Sequence, residues 1–439
     1  MKKLVFALYA GIIAFSGCND TVTETVTYMI NEPVFMSADE FRNSVKVSTI
    51  PVTISNYGKI CFYEGYIFIS ESEKGIHIID NRNPSKPQSI GFIELLGNAD
   101  LAIRNGKLYA DAFIDLVWFD ISNPARPELE GRLEDVFFKY NYMPLPRIDN
   151  EYGYDYSKCY DIMNGGSKGV IVGWEVKQRT ESHTQTYNRR FLGDIYGTSG
   201  FARADMSYNM SPSSSNGSSS VGVNGSMSRF TLYRDYLYSV INNYMNIFDL
   251  SGDEPVKAAE NISVGWDVET IFSYKDNMFM GTPTGMVIYS VADPVKPEYM
   301  SRVSHVFGCD PVVVENDIAY VTIHSGNFCG QTNNDLLIYD VSNVRNPRHI
   351  VTYAMKSPKG LGIDSGTLFL CDDGLKIFNA SDPQTIMANR LAYYSGMDGF
   401  DVIPFDSVLM MIADDGLYQY DYSDLEKITQ LSKLPIVKE

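Results

Sequence analysis

The sequence predicts an all-β fold, a seven-bladed β-propeller with a long insertion between blades two and three. Three observations lead there: one phrase recurs seven times, most copies stand near 40 residues apart, and each sits in the same succession of strands and tight turns. The phrase is a short apolar strand running into a turn rich in Asp, Asn, Ser and Pro, seen most fully at residues 116–127 (LVWFDISNPARP). It returns at 76–87 (IHIIDNRNPSKP), 245–255 (MNIFDLSGDEP), 286–297 (MVIYSVADPVKP), 336–347 (LLIYDVSNVRNP), 375–383 (LKIFNASDP) and, degraded, 417–425 (LYQYDYSDL). The fifth residue of each copy falls at 80, 120, 249, 290, 340, 379 and 421, giving steps of 40, 129, 41, 50, 39 and 42. A period near 40 with four strands per unit marks a propeller, because such a unit cannot bury both faces alone and must stack around an axis.

Each repeat is read in the same order. A first strand, as at 60–63, 101–104 and 312–315, meets a two-residue turn such as Glu64-Gly65, Asn105-Gly106, Asp276-Asn277 or Ser365-Gly366. Gly, Asn and Asp tolerate the positive φ that tight hairpins require. A second strand follows (66–70, 108–111, 236–240, 278–281, 318–323, 368–371, 409–413), then the recurring phrase as the third. Gly or Asp usually precedes the phrase, which points to a strained backbone position or a bulge. Its terminal Asx side chain can bond its own backbone, and Pro cannot donate to a ladder, so the strand stops there. A fourth, outer strand completes the unit. Either 45–48 or 428–434 is available as an outer strand at the ring closure.

These phrases resemble the LVIVD repeat of bacterial exported proteins. The stretches GCDPVVV at 308–314, GLGID at 360–364 and DDGLYQYD at 414–421 are similar to its lipoprotein branch in Bacteroidetes-type genomes. The resemblance implies a secreted propeller of uncharacterised function and brings no catalytic motif.

Residues 1–17 are expected to be a lipoprotein signal peptide. Lys2 and Lys3 form a basic start, and the apolar run 4–15 is too short to span a bilayer. The sequence Phe15-Ser16-Gly17-Cys18 resembles a lipobox, which implies a lipidated Cys18 as the mature N-terminus and an exported, membrane-anchored protein, most simply of the outer membrane. Multiple acyl chains give stable anchoring where one is marginal. Residues 18–44, polar and weakly periodic, are expected to be a tether, with the propeller over 45–439. Loss of Lys2 and Lys3 takes the formal charge from −18 to −20, with 54 acidic against 34 basic residues. So acidic a chain argues against nucleic acid as a partner and against docking on anionic headgroups, which leaves the lipid as the membrane contact.

The 129-residue step places an insertion at 134–228. Its first half holds a good strand at 169–176 (GVIVGWEV), whereas 207–228 is Ser/Gly-rich and too poor in apolar side chains to fold by itself. Strand direction sorts the loops onto two faces. The second-to-third loops and the blade-to-blade connections share one face, which carries both the insertion and the long loop 324–334 (HSGNFCGQTNN). That face is the candidate functional surface.

Asp100, Asp267, Glu269, Asp310, Asp398 and Asp401 precede or begin first strands near the expected channel, and His324 lies on the same face. An oxygen-rich ring suits Ca²⁺ or the hydroxyls of a glycan, although loops also use Asp simply for turns. The five histidines show no metal spacing. His77, in a strand, reads as packed or solvated. Cys309 and Cys329 fall on one face in an export-permissive chain and form the candidate disulfide, with free buried thiols as the alternative. Cys61 and Cys371 read as core. The first functional expectation is a non-enzymatic interaction or ligand-binding module for a protein or glycan. The second is a carbohydrate-active enzyme, of glycoside hydrolase or lyase type, with paired Asp/Glu on the channel face.

Overall fold

A computed structural model describes residues 21–72, 74–137, 153–155, 169–186, 221–241, 243–265, 268–304, 311–324 and 333–437. The chain divides into two compact units. The smaller is built on a two-stranded ribbon in which Thr21–Met36 pairs with Val170–Thr186. Thr25 and Ser182 hydroxyls meet at 3.2 Å and those of Thr27 and Thr180 at 3.0 Å. Asn31 forms a parallel bridge with Tyr154, whose ring stands edge-on to Trp174 at 5.2 Å.

The tether expected over 18–44 is therefore corrected. Alternating Thr and Val make good strand residues once a partner satisfies their backbone, and that partner lies far along the chain inside the insertion. Beyond the ribbon strand, Ala38–Arg42 forms one helical turn closed by a capping box, with Ser37 Oγ accepting from Glu40 N at 3.2 Å and Ser37 N donating to Glu40 Oε2 at 3.2 Å. The turn buries Phe41, 1 % exposed, 5.9 Å from the Phe113 ring.

The larger unit is the propeller. Its seven blades are antiparallel sheets in sequence order, the first extended by two extra strands. The inner strands are Lys59–Tyr63, Leu101–Arg104, Phe230–Tyr233, Thr270–Tyr274, Val312–Glu315, Pro358–Asp364 and Gly399–Phe405. The recurring phrases are the third strands: Gly75–Asp80, Asp115–Asp120, Tyr244–Asp249, Gly285–Ser290, Asp335–Asp340, Leu375–Asn379 and Gly416–Asp421. Most of their residues are buried on both faces because a neighbouring blade covers each side. At Gly75, φ is 148° and an added Cβ would collide with the Ile93 carbonyl oxygen, which explains the glycine before the phrase.

The end of the phrase works as a repeated clasp. Asp80, Asp120, Asp249, Asp340, Asn379 and Asp421 each accept from the backbone N–H two residues on, at 3.1, 2.7, 2.8, 3.0, 3.0 and 2.9 Å. In the fourth blade Ser290 Oγ does the same for Ala292 N at 3.3 Å. The residue just after the phrase donates its N–H back to the first-to-second turn: Asn81 to Gly65 O at 2.8 Å, Ile121 to Gly106 O at 2.7 Å, Val341 to Asp317 O at 2.8 Å, and likewise in the other blades. A second such turn follows on Asn83, Asn123, Asp293, Asn343, Asp382 and Asp424. The Asp-x-Ser-Asn-Pro pattern is thus two consecutive side-chain-closed turns, and the backbone bond beside them locks the outer hairpin to the inner one.

Both candidate end strands are used. Lys46–Ser48 adds to the outer edge of blade one, and Thr429–Pro435 is the outer strand of blade seven. Among the described residues no blade is shared between the two ends of the chain. The ring closes by packing of Ile60, Ile67 and Ile69 against Ile403, Met410 and Ile412, with Gln419 Nε2 donating to Asn81 Oδ1 at 2.7 Å. The insertion runs from the end of blade two at Leu133 to the start of blade three at Phe230, as the spacing requires. Of its Ser/Gly-rich end, residues 221–228 are described, and they lie against the inner strands of the blades.

Replacing Asp120 by Ala should lower the unfolding free energy by about 1 kcal/mol, the net worth of one such bond, with Asp120→Asn retaining most of it. Urea denaturation followed by circular dichroism checks this; equal midpoints for wild type and Asp120→Ala would contradict the clasp.

Candidate functional site

The central channel is filled by the chain's own residues 221–229, arriving from the insertion. Val221 bridges Arg104, and Val223 and Asn224 pair antiparallel with Phe62 and Cys61 on the inner strand of blade one. Gly222 N donates to Ile103 O at 2.7 Å, Gly225 N to Ile60 O at 3.2 Å, and Asn224 Nδ2 to Leu101 O at 2.9 Å. Farther along, Ile271 N of blade four donates to Ser228 O at 2.9 Å, and Leu361 N of blade six to Ser226 Oγ at 2.9 Å.

Two of the expected channel acids hold this segment. Asp401, fully buried, accepts at Oδ1 from Ser226 N (3.1 Å), Ser226 Oγ (2.9 Å) and Val402 N (3.0 Å), and at Oδ2 from Met227 N (3.1 Å). Asp100, 1 % exposed, accepts from Ser228 Oγ at 2.8 Å, Arg229 N at 2.5 Å and Lys59 Nζ at 2.7 Å. Glycine is required at 225, where a Cβ would overlap Asp401 Oδ2. Behind Asp100, Asp111 accepts from Ala99 N at 2.7 Å and Asp100 N at 2.9 Å. Burial pushes Asp401 up to about 7 against the pull of its donors, and Asp111 up to about 6. Burial also lowers Lys59, opposed chiefly by the charge of Asp100.

Among the described residues, the other expected ones, Glu269, Asp398 and His324, make no bond to the segment. Glu269 begins blade four, half-buried, its N–H donating to Gly281 O at 3.0 Å. Asp398, 56 % exposed, is paired with Lys359 Nζ at 2.7 Å. His324 is half-buried at the end of the second strand of blade five, its pKa lowered first by burial and then by Lys359. Asp267, Asp310, Cys309, Cys329 and Cys18 lie outside the described residues, as does most of the insertion. On the loop face Asp373, Asp398, Asp414 and Asp415 line an open groove with Ser357 and Met397. Lysines answer three of them: Lys356 to Asp373 (2.7 Å), Lys359 to Asp398 (2.7 Å) and Lys433 to Asp415 (2.6 Å). Among the described residues no three His, Cys, Asp or Glu side chains gather as a metal-binding group. His77 is buried and pairs with Glu71 at 2.7 Å; Cys61 and Cys371 are buried in the core.

The clasped third strands have a recognised counterpart. A family model for the LVIVD repeat matches residues 58–93, 101–135 and 312–354, which are blades one, two and five. Three blades of this propeller are LVIVD repeats. No curated protein matches the chain. Among solved structures, the chain is similar to the computationally designed Ika8 protein at 7 % identity and TM-score 0.48, covering 89 % of this chain and 90 % of that one. It is similar to Saccharomyces cerevisiae Sqt1 at 9 % identity and TM-score 0.45, covering 89 % and 98 %, and to Kluyveromyces lactis Hsv2 at 10 % and 0.45, covering 87 % and 99 %.

The LVIVD blades one and two supply the strands that pair with the channel segment, so repeat and insertion meet at the axis. Sequence reasoning missed residues 221–229 because their composition is that of a linker. The available signal was Gly222-Val-Asn-Gly225-Ser-Met-Ser228, two glycines three apart followed by hydroxyls, beside inner strands that begin with Asp.

Asp401 and Asp111 hold a proton more tightly in the folded chain than an unfolded Asp near 4. The stability they contribute is complete below pH 4 and is lost as pH rises through about 6 and 7. The melting temperature should therefore fall between about pH 4 and pH 7, and Asp401→Asn should make that fall shallower. An unchanged slope in calorimetry of the variant would contradict the assignment.

Proposed function

We propose that this LVIVD propeller is an exported, lipid-anchored, non-enzymatic module that recognises a protein partner on its loop face. One observation carries the reading: the channel, the usual place for a small ligand in a propeller, is occupied by the chain's own residues, and Asp100 and Asp401 spend their oxygens on them. While that segment is in place, recognition is directed to the outside. The loop face holds the two elaborations of the ring, the insertion leaving at 134 and the loop 324–334, and loops on a rigid scaffold are where binding residues concentrate. Anchoring rests on Lys2, Lys3, the apolar run 4–15 and Cys18.

One experiment in living bacterial cells tests both parts, using wild type, Cys18→Ser and a variant with 138–220 replaced by a short Gly-Ser linker. A clickable fatty acid should label wild type and the linker variant and fail to label Cys18→Ser. Photo-crosslinking should capture a defined envelope protein with wild type that the linker variant, folded by circular dichroism, no longer captures. Labelling that survives Cys18→Ser refutes the anchor, and an unchanged crosslink in the linker variant refutes the insertion-bearing face.

A further inference from the structure

Residues 221–228 are held as a bound peptide is held. Every blade has its inner strand paired with its second strand, with register breaks in blades six and seven, so the four-stranded blades form without this segment. Only Val221, Val223 and Met227 bring apolar side chains of any size, and Val221 is 41 % exposed. The hold is polar: a short ladder with Phe62 and Cys61, further backbone N–H groups of Gly222 and Gly225 on inner-strand carbonyls, the Asn224 amide on another, and hydroxyls and N–H groups on two buried carboxylates. Such bonds exchange for bonds to water at a modest net gain, unlike the burial that fixes a core strand. Without the segment the wall would present carboxylates, Lys59 and free carbonyls, which water hydrates readily.

We infer that the channel is a peptide-binding site of the strand-addition kind, occupied in cis by residues 221–229, and that it accepts in trans an extended peptide of the pattern Gly-x-Asn-Gly-Ser-x-Ser. The inference goes beyond recognition on the loop face and does not rest on it. Each position has a reason on the wall. A Cβ at 222 would stand 2.8 Å from Cys61 Sγ, and one at 225 would overlap Asp401 Oδ2, so both positions select glycine. Asn224 donates to Leu101 O. The Ser226 hydroxyl donates to Asp401 and accepts from Leu361 N, and that of Ser228 donates to Asp100, so both positions select a small hydroxyl side chain.

The probe is a fluorescein-labelled peptide of residues 219–230, titrated by anisotropy against the full chain carrying Gly225→Val, which should expel the cis segment. Saturable binding is expected, with wild type at least about a hundredfold weaker because its tethered segment competes at high effective concentration. The same peptide carrying Gly225→Val should not bind. A folded Gly225→Val chain that ignores the peptide, or that binds both peptides alike, overturns the inference. Should the variant fail to fold, native-state hydrogen exchange of wild type decides. The Gly222, Gly225 and Met227 amides should exchange about tenfold or more faster than those of the inner strands. Exchange of these amides only with global unfolding would make the segment an integral strand and overturn the inference.

Discussion

A sheet whose inner edge faces a common axis leaves backbone groups with no strand to pair, and these take either water or an added segment as partner. In this propeller residues 221–229 pair with blade one and cross toward blades two, four, six and seven, answering part of that edge. Much of the site follows from this. Asp100 and Asp401 are at the axis because the segment brings N–H and O–H donors to them, and the glycines are there because those carboxylates leave no room for a Cβ.

The rim is governed by a second constraint, local and repeated. Seven outer hairpins must be fixed to seven inner ones, and the chain does this with one Asx or Ser oxygen and one backbone bond per blade. Part of the acid count is accounted for in this way. Many Asp residues close turns, and several on the loop face stand against lysines. Among the described residues this acidity is spread over turns and rim pairs and gathers no group of three metal-binding side chains.

Much of the propeller is legible in the amino-acid sequence. The recurring phrase marks the third strands because buried apolar runs and terminal Asx residues are local signals, and Asn105 and Ser365 do take the positive φ expected of their turns, 49° and 50°. The turn expected at 276–277 sits one residue earlier, with Lys275 at φ 51°, because a hairpin can slip by one without changing its composition. The ribbon is not legible: Thr21–Met36 reads as polar tether until its partner at Val170–Thr186 is known, and no periodicity reports pairing across that separation. The channel segment is hidden for a different reason. Low apolar content argues against folding by burial, but residues 221–228 are ordered by hydrogen bonds to an existing wall, which composition does not register.

The central claim, that residues 221–229 occupy the channel, is tested most directly by a cross-link. A Cβ at position 222 lies 2.8 Å from Cys61 Sγ, close to the separation of about 3 Å that disulfide geometry gives. Mild oxidation of Gly222→Cys, followed by mass spectrometry of a non-reduced digest, should therefore yield a linked pair of peptides containing residues 61 and 222. A folded Gly222→Cys protein whose new thiol reacts freely with maleimide and never joins Cys61 would place the segment outside the channel.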